Sequence, residues 1–460
     1  MKSLRDTTHA LDAGLARIRQ QYGVPDGFPD EVLSAAHEAA RRPLDGHVDR
    51  TEMPFVTLDP SSSTDLDQAF AISRSGSDLL LHYAIADVAW FVNDGDPVDR
   101  EAWRRGTSLY LPDGRESLYP PVLAEGAASL LPDGPRPAVV FHVRLDQEGR
   151  PSLDGVERAV IRSRAKLGYD TVRPEDLPEA FGEFADRARA AEQLRGAGRV
   201  DPPEQVVERN RDGYRLSFRP RQPSEWQNST LSASTNIAVA EALQQAGTGL
   251  FRVMPEPDGR AVLRLRHTAH AFGMQWPKHQ PLDEYARTLD GNDPKHAAFM
   301  LAVRRAGGGA SYVPFRAGVV PWHAALAATY AHATAPLRRL ADRYVVQAAL
   351  AVANGRPLPE HVQAALPNLP DAMASAAAQS SRVDRAVVDL AEAVLLQGHE
   401  GQTFMAVVVE DDDEISRIQL VDIAVVAKVK AKHLHPGDEC RVKLVSADPE
   451  RREVRFERVA

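Results

Sequence analysis

The apolar residues of the first fifty positions repeat with helical spacing in two segments separated by a turn. Leu11, Leu15 and Ile18 recur on one face of a helix predicted over residues 8–22. A stretch that holds two glycines and two prolines ends this helix, and residues 31–42 predict a second one. The pair is compatible with a helix-turn-helix that touches nucleic acid. It fits somewhat better a helical appendage that packs on the next domain.

Residues 51–398 show two kinds of apolar pattern without a convincing linker between them. Short alternating or apolar runs come first and predict the strands Phe55–Leu58, Gln68–Ile72, Leu79–Ile85 and Ala138–Leu145. Long alanine-rich stretches follow and predict the helices Ser232–Gln245, His296–Ala306, Ala335–Ala353 and Asp371–Leu396. This mixture is typical of one large α+β domain.

Residues 399–460 differ again, because short alternating runs separated by turns replace the helical stretches. They predict the strands Gln402–Val409, Ile415–Leu420, Ala424–Lys430, Glu439–Ser446 and Glu453–Arg458. Five strands in about sixty residues is the size of an OB-fold barrel. The predicted fold class is therefore multidomain, with a small helical region over residues 1–50, an α+β domain over residues 51–398 and an all-β barrel over residues 399–460.

Three lysines in the predicted barrel form a candidate nucleic-acid surface. Lys428, Lys430 and Lys432 alternate with small apolar residues, so a strand there places three ammonium groups on one face. OB-type barrels commonly bind single-stranded nucleic acid, which favours an RNA-binding role. Lysines also protect exposed edge strands from aggregation, so both interpretations stay open.

The composition is that of a soluble globular protein of two to four domains. No apolar run approaches the ~20 residues that span a bilayer, and the first residues lack the apolar core of a secretion signal. Cys440 is the single cysteine, which excludes an internal disulfide and a cysteine-based zinc cage. We therefore expect a cytoplasmic protein without membrane association. The net charge of −9 argues mildly against nucleic-acid binding, although a metal-binding acidic cluster is itself negative and a basic channel can be local.

The most specific chemical feature is an acidic loop between two apolar segments. Asp59 ends the first predicted strand, and Asp65 and Asp67 precede the next one. Three carboxylates that converge near strand ends favour a bound cation, and all-oxygen ligands favour Mg²⁺ or Mn²⁺ over zinc. A solvated acidic turn with Asp65 as a helix cap would look similar. The spacing does not match a calcium-binding EF-hand loop.

The motif Thr57-Leu58-Asp59-x5-Asp65-x-Asp67 resembles the signature of the ribonuclease II/ribonuclease R family of 3′→5′ exoribonucleases. Further segments resemble that family in the same order along the chain: His82–Val88, Arg104–Asp113, Ser163–Asp170, Tyr330–Arg339 and Arg382–Arg385. Collinear matches over residues 50–460 are far more specific than any single motif. The resemblance implies an RNB-type catalytic domain followed by an S1-type OB-fold domain.

The sequence departs from the family pattern at two places. The family has a fourth acidic residue directly after the third, and here that position is Gln68. An amide oxygen can still bind Mg²⁺ but brings no charge, which puts a second metal ion or full activity in doubt. Family members also commonly carry two cold-shock-type barrels before the catalytic domain, and about fifty helical residues cannot hold even one.

By resemblance, Asp59, Asp65 and Asp67 hold one or two Mg²⁺ or Mn²⁺ ions against the scissile phosphate, with Gln68 as a weaker ligand. Asp65 as a capping or indirect contributor is the alternative. Arg338 lies in a proline-containing turn where a guanidinium suits a phosphate and stabilises transition-state charge. These four charged residues form the predicted catalytic set.

The resemblance also implies a set of RNA-binding residues. Tyr110 would stack on a base, Tyr169 would hydrogen-bond near the scissile phosphate, and Tyr214 is the candidate for an opposing ring. Asp384 would accept a hydrogen bond from the 2′-hydroxyl of the terminal ribose. Arg339 would either contact the RNA backbone or pair with a neighbouring acid. Outside the family, a buried core tyrosine would be the default interpretation of each tyrosine.

The expected function is 3′→5′ hydrolysis of RNA from a single-stranded 3′ end, with release of nucleoside 5′-monophosphates, by a monomer that takes part in RNA turnover. The alternative is a catalytically impaired RNA-binding or regulatory protein that keeps the exonuclease fold. A nuclease directed at DNA is a third and weaker hypothesis.

Overall fold

The computed structural model describes residues 10–198, 200–210, 213–219, 221–291, 293–410, 415–430, 434 and 437–459. Within them the α-helices are α1 (Ala10–Gln21), α2 (Asp30–Ala39), α3 (Val88–Phe91), α4 (Pro97–Arg105), α5 (Phe181–Leu194), α6 (Pro223–Gln245), α7 (Gly259–Ala271), α8 (Leu282–Ala286), α9 (Pro294–Ala306), α10 (Leu340–Ala353), α11 (Glu360–Ala365) and α12 (Leu369–Leu396).

The strands fall into a central sheet, several two-stranded ribbons and a barrel. The first nine are β1 (Val48–Asp49), β2 (Thr57–Asp59), β3 (Gln68–Ser75), β4 (Asp78–Ala86), β5 (Leu109–Leu111), β6 (Gly114–Glu116), β7 (Arg136–Leu145), β8 (Pro151–Ile161) and β9 (Lys166–Gly168). The others are β10 (Glu204–Asn210), β11 (Gly213–Arg219), β12 (Leu250–Val253), β13 (Ser311–Pro314), β14 (Trp322–His323), β15 (Ala328–Thr329), β16 (Thr403–Glu410), β17 (Ile415–Leu420), β18 (Val426–Lys430), β19 (Glu439–Asp448) and β20 (Glu453–Val459).

The central sheet has the order β1-β8-β7-β4-β3 and is antiparallel except for the short β1–β8 pair. One face is buried against α6 and α10, because apolar side chains alternate along β3, β4 and β7. Phe70 of β3 stacks on Phe181 of α5 with ring centroids 5.4 Å apart, and both rings are fully buried. This packing holds β3, and with it the acidic loop that precedes it, in a fixed position.

The C-terminal strands close into a barrel in the order β16-β17-β18-β20-β19. The pairs are antiparallel except β18 and β20, which run parallel. The prediction of five strands and an OB-like barrel is confirmed. Lys428 and Lys430 lie exposed on β18 as expected, whereas Lys432 lies outside the described residues.

One predicted helix was too long at its beginning. The alanine-rich pattern predicted a helix from Ala335, but α10 begins at Leu340. The carboxylate of Asp342 accepts a hydrogen bond from the Ala335 backbone at 2.8 Å and pairs with Arg339, which is extended. These contacts hold residues 335–339 in a turn, so helix propensity is overridden by a side chain further along the chain.

The two N-terminal helices pack into different cores. Helix α1 lies against α12 so closely that a Cβ on Gly14 would stand 2.5 Å from a methyl carbon of Leu390. Helix α2 packs on α4 in the core of the central sheet, and its exposed face carries Asp30, Glu31 and Glu38. An acidic exposed face does not suit contact with phosphates. The packing of both helices favours the interpretation as a helical appendage, and contact of this region with nucleic acid stays a prediction.

Helix α12 connects the core of the central sheet to the core that α1 and the barrel share. Its first half packs in the core of the central sheet through Leu369 and Met373, and its second half shares a core with α1 and the barrel through Leu390 and Leu396. The cores therefore do not follow the predicted boundaries at residues 50 and 398, which stay predictions. No helix in the described part of the chain is both long enough and apolar enough to cross a membrane.

Candidate active site

The acidic loop leaves the end of β2 and returns to the central sheet at β3. Strand β2 pairs in parallel with β9, which places Asp59 opposite Gly168. A Cβ at position 168 would clash with the hydroxyl of Ser61, so the glycine lets this side chain of the loop lie directly against β9. Lys166 supports the same turn by donating a hydrogen bond to the Ser61 carbonyl at 2.9 Å. The neighbouring ribbon thus fixes the first half of the acidic loop.

Asp67 joins the acidic loop to the turn of residues 335–339, called the arginine-containing turn below. Its Oδ1 accepts a hydrogen bond from the Leu337 backbone at 2.7 Å, and its Oδ2 lies 3.2 Å from Nε of Arg338. Burial raises the pKa of Asp67 to about 8, although Arg338 and the Leu337 amide act in the opposite direction. The Asp67 side chain is 4% exposed, whereas the Arg338 side chain is 46% exposed and reaches toward solvent. A guanidinium in this position can meet an incoming anion.

Asp59 is the least satisfied of the three carboxylates. Burial raises its pKa to about 7, and Arg338 and Lys166 offset this only in part. Across the residues that the structure describes, no hydrogen bond or ion pair engages its side chain. A buried carboxylate without a partner is costly unless a cation or a proton neutralises it.

Asp65 connects the loop to the β5–β6 hairpin. It forms an ion pair with Arg115 and accepts a hydrogen bond from the hydroxyl of Tyr110 at 2.9 Å. Arg115 also pairs with Glu125 at 2.6 Å. The Tyr110 ring is 50% exposed although its hydroxyl is held. Asp65 is therefore an anchor for an exposed aromatic ring, a role that the motif alone did not reveal.

Gln68 is fixed by three hydrogen bonds of its own. Its Nε2 donates to the Thr334 carbonyl at 2.7 Å, and its Oε1 accepts from the hydroxyls of Tyr83 and Ser232. Both acceptor sites of the amide oxygen are occupied by hydroxyl donors. This arrangement disfavours the predicted role of Gln68 as a metal ligand, because the amide instead links β3 to β4, α6 and the arginine-containing turn.

Tyr169 lies beside Asp59, and its predicted hydrogen bond near the scissile phosphate stays a prediction. Its backbone amide donates to the Asp59 carbonyl at 3.1 Å, and its hydroxyl accepts from Nδ2 of Asn228 at 2.9 Å. The same Asn228 amide donates to the Leu58 carbonyl, so one side chain of α6 positions both β2 and the tyrosine. Burial raises the pKa of Tyr169 to about 12, which keeps its hydroxyl protonated and able to donate. The motifs gave no signal for Asn228.

Arg338 and Arg339 have different environments. The Arg338 carbonyl accepts hydrogen bonds from the Ser108 amide at 3.1 Å and the Thr107 hydroxyl at 2.8 Å, which fixes its backbone next to the strand of Tyr110. Arg339 forms a two-pronged ion pair with Asp342 at 2.9 and 2.7 Å. Of the two predicted alternatives for Arg339, the structure shows the pairing with a neighbouring acid, and its guanidinium is engaged there.

A groove of about 720 Å³, called the outer groove below, runs from Tyr110 to the barrel. Asp384 of α12, Lys428 of the barrel and Phe218 of β11 also line it. The prediction of Tyr214 as the opposing ring is wrong, because its ring is 3% exposed and lies in the core with α1. The aromatic ring that β11 supplies to the groove is Phe218.

A second space of about 690 Å³, called the inner cavity below, lies behind the acidic loop. Its walls include Asp59, Tyr169 and Arg338, together with Arg219 and Arg221. Glu204 of β10 borders both the inner cavity and the outer groove. The β10–β11 hairpin therefore borders both spaces, and the acidic loop lines the inner cavity through Asp59.

The acidic side chains of the site match a divalent cation in chemistry but not in arrangement. No three histidine, cysteine or acidic side chains in the described ranges are arranged closely enough to hold a metal ion. Asp65 and Asp67 are engaged with Arg115 and Arg338, and only Asp59 offers an unengaged carboxylate. Three carboxylates are nevertheless the kind of oxygen ligands that a hard cation prefers. Cation binding therefore stays a prediction.

Comparison with known proteins identifies two domains. Residues 47–353 match the RNB domain, and residues 402–459 match the C-terminal S1 domain of RNase II-type exonucleases. Ribonuclease R of Escherichia coli (strain K12) is 28% identical over 361 residues, which cover 73% of this chain and 44% of that protein. Ribonuclease R of Thermotoga maritima is 26% identical over 504 residues, covering 97% of this chain and 70% of that protein. The chain thus spans less than half the length of the first of these relatives.

Solved structures share the fold. Mycoplasma genitalium RNase R in complex with ribose methylated single-stranded RNA superposes with a TM-score of 0.86 at 20% identity, covering 100% of this chain and 79% of that one. Yeast Ssd1, a pseudonuclease, superposes with a TM-score of 0.70 at 17% identity, covering 94% of this chain and 57% of that one. Because the RNB match extends over more than half of its residues, the chain belongs to the RNB domain family.

Proposed function

We propose that this chain is a 3′→5′ exoribonuclease that works with Mg²⁺ or Mn²⁺ and releases nucleoside 5′-monophosphates in RNA turnover. The observation that carries the proposal is the contact of the buried Asp67 with Arg338, which joins the acidic loop to a half-exposed guanidinium in the wall of the inner cavity. Family membership supports an exonuclease that acts on RNA, because the relatives described above are named ribonuclease R and the matched S1 domain is that of RNase II-type exonucleases. The direction and the products come from the family resemblance of the motifs.

The outer groove suits single-stranded RNA. Tyr110 and Phe218 supply π-faces on which bases of any sequence can stack. Arg417 and Lys428 are paired in register across β17 and β18 and supply positive charge for the backbone. Asp384 lines the same groove and can accept a hydrogen bond from a 2′-hydroxyl, which DNA lacks. The barrel and the catalytic domain would then hold one strand between them.

At the acidic loop, the residues divide the work of phosphodiester hydrolysis. The Arg338 guanidinium binds oxygens of the scissile phosphate and stabilises the charge that develops on them. Tyr169 donates its hydroxyl to the same phosphate and orients it. Asp59, Asp65 and Asp67 would hold the cation, with Asp59 as the residue whose carboxylate needs it most. The cation, when bound, promotes ionisation of the attacking water and stabilises the leaving oxygen.

The alternative is a binding protein that has lost catalysis. Gln68 replaces an acidic residue of the family pattern, and the pseudonuclease Ssd1 shows that this fold also occurs without nuclease function. The relatives named ribonuclease R favour the enzyme over this alternative. The hydrogen bonds of Gln68 hold the start of β3 in place without the fourth carboxylate. Activity therefore depends on the three remaining aspartates.

The test is degradation of a 5′-labelled oligoribonucleotide with and without Mg²⁺ or Mn²⁺, with DNA and duplex substrates in parallel. We expect metal-dependent shortening of RNA from the 3′ end, and loss of cleavage with retained binding in Asp67→Asn. Asp371→Asn, in the first turn of α12, is a control outside the site. RNA binding without metal-dependent cleavage by the unmutated protein would establish the alternative, and preferential cleavage of DNA would replace the proposed substrate.

A further inference from the structure

The β5–β6 hairpin, which carries Tyr110, is too short to be rigid alone. It contains three residue pairs, and isolated two-stranded ribbons are marginally stable at best. Its turn is held by Arg19 of α1, whose guanidinium donates to both oxygens of Asp113 at 3.2 and 3.0 Å and to Glu116 at 2.5 Å. These groups are 16–24% exposed, so solvent screens the pair only in part. Helix α1 therefore anchors the wall of the outer groove that bears Tyr110.

The opposite wall is attached to the same helix. Tyr214 of β11 donates its hydroxyl to Asp12 of α1 at 2.5 Å, and its buried ring packs with Leu11 and Leu15. Phe218 lies further along the same strand and lines the outer groove. Tyr214, which was predicted to stack on RNA, thus has a structural role instead, because it fixes the strand that presents Phe218.

Helix α1 is itself held firmly on the scaffold. Gly14 lets it approach Leu390 of α12, the helix that also presents Asp384 to the groove. Arg452 of the barrel donates a hydrogen bond to Gln21 at 2.6 Å. One short helix therefore contacts both aromatic walls, the long helix and the barrel, which together surround the path proposed for RNA.

We propose that helix α1 positions the two walls of the outer groove, and that Arg19 is a positioning residue for Tyr110. The inference rests on the proposed function, since it assumes that Tyr110 and Phe218 hold RNA. Arg19 does not line the outer groove, and its partners Asp113 and Glu116 lie outside the acidic loop. It acts through the Asp113 turn, which keeps Tyr110 and Arg115 in place beside Asp65.

The first experiment measures binding of a fluorescein-labelled oligoribonucleotide by anisotropy in EDTA, so that hydrolysis is not needed. Arg19→Met removes the guanidinium, and Arg17→Met is the matched control on the same helix. Arg17 is exposed and has no partner among the described residues. We expect roughly tenfold weaker binding for Arg19→Met, which corresponds to about 1.4 kcal/mol, and no change for Arg17→Met. Arg19→Lys keeps the charge but not the two-pronged geometry and should fall between them.

The second experiment separates positioning from general stability. If Arg19 acts through Tyr110, Arg19→Met has little further effect on binding in a Tyr110→Ala background. Tyr214→Phe, which removes only the hydroxyl bonded to Asp12, should weaken binding in either background, because it loosens the other wall. Additive effects of Arg19→Met and Tyr110→Ala would overturn the proposal. So would equal binding by the Arg19→Met and Arg17→Met variants.

The outcomes also separate this proposal from the proposed function. If the unmutated protein binds RNA without cleaving it and Arg19→Met still weakens binding, the exonuclease assignment fails and the positioning role stands. If cleavage occurs with unchanged binding, KM and kcat in Arg19→Met, only the positioning role fails. In the active enzyme we expect Arg19→Met to raise KM several-fold while kcat changes less than twofold, since Asp67 keeps its contacts with Leu337 and Arg338.

Discussion

Glu392 offers a test of how the barrel is attached to the rest of the molecule. It lies on α12, is 4% exposed, and its Oε1 accepts hydrogen bonds from the Val426 amide of the barrel at 2.8 Å and from Gln205 of β10 at 2.6 Å. Burial raises its pKa from 4.5 to about 8, and the two hydrogen bonds compensate only in part. At neutral pH the folded protein therefore keeps this side chain protonated.

The perturbation is Glu392→Gln, which retains an acceptor oxygen for both hydrogen bonds and cannot ionise. The folded state binds the Glu392 proton more tightly than the unfolded state. The stability contributed by protonated Glu392 is therefore complete below pH 4.5 and is lost as the pH rises through about 8. Over this range the loss has an upper bound on the order of 4 to 5 kcal/mol, at 1.36 kcal/mol for each pKa unit. Glu392→Gln should escape that loss.

The assay is urea unfolding of the two proteins at several pH values from 5 to 9, followed by circular dichroism. We expect similar midpoints at pH 5 and a higher midpoint for Glu392→Gln at pH 9. Glu400→Gln, at an exposed position near the first barrel strand, is the matched control and should follow the unmutated protein throughout. A difference between Glu392→Gln and the unmutated protein that does not change with pH would refute the reasoning, because it would show that packing rather than charge decides the effect.

Three further predictions concern the groove, the amide in the acidic loop and the central sheet. Phe218→Ala should weaken oligoribonucleotide binding by about 5- to 150-fold, the range of one lost stacking contact of 1–3 kcal/mol, and unchanged anisotropy titrations would exclude its ring from the RNA path. Gln68→Asp loses the donor to the Thr334 carbonyl and should lower the melting temperature in EDTA, with recovery on adding Mg²⁺; equal melting in both buffers would argue against a cation there. Burial and His142 lower the pKa of His82 to about 4. The stability contributed by neutral His82 is therefore present above pH 6.5 and lost as the pH falls toward 4. A His82→Gln variant should show a smaller acid-induced drop in the urea midpoint.

Patterns with a short period predicted the structure best. Alternation along the C-terminal strands predicted the closed barrel. Asp65 and Asp67 directly precede β3, as the apolar pattern around the motif predicted. The pattern did not separate Tyr214 from Phe218, because both lie on the same face of β11 and only the packing of α1 decides which end is buried. The start of α10 was missed for a similar reason, since Asp342 bonds back to a segment that has helical propensity. Such contacts depend on tertiary neighbours that a single sequence does not display.

The net charge of the chain gave little guidance because the charges are distributed unevenly. The described lining of the outer groove contains the cations Arg304, Arg305, Arg385, Arg417 and Lys428 and the acids Glu204, Asp384, Asp389 and Glu392. Glu392 is protonated at neutral pH, and burial also raises the pKa of Asp384 and Asp389. The described lining of the groove thus has five cations against four acids, although the chain as a whole carries −9. Since ionic contacts to phosphates weaken with salt, RNA binding should fall as ionic strength rises, and as the pH rises through the ionisation of Glu392.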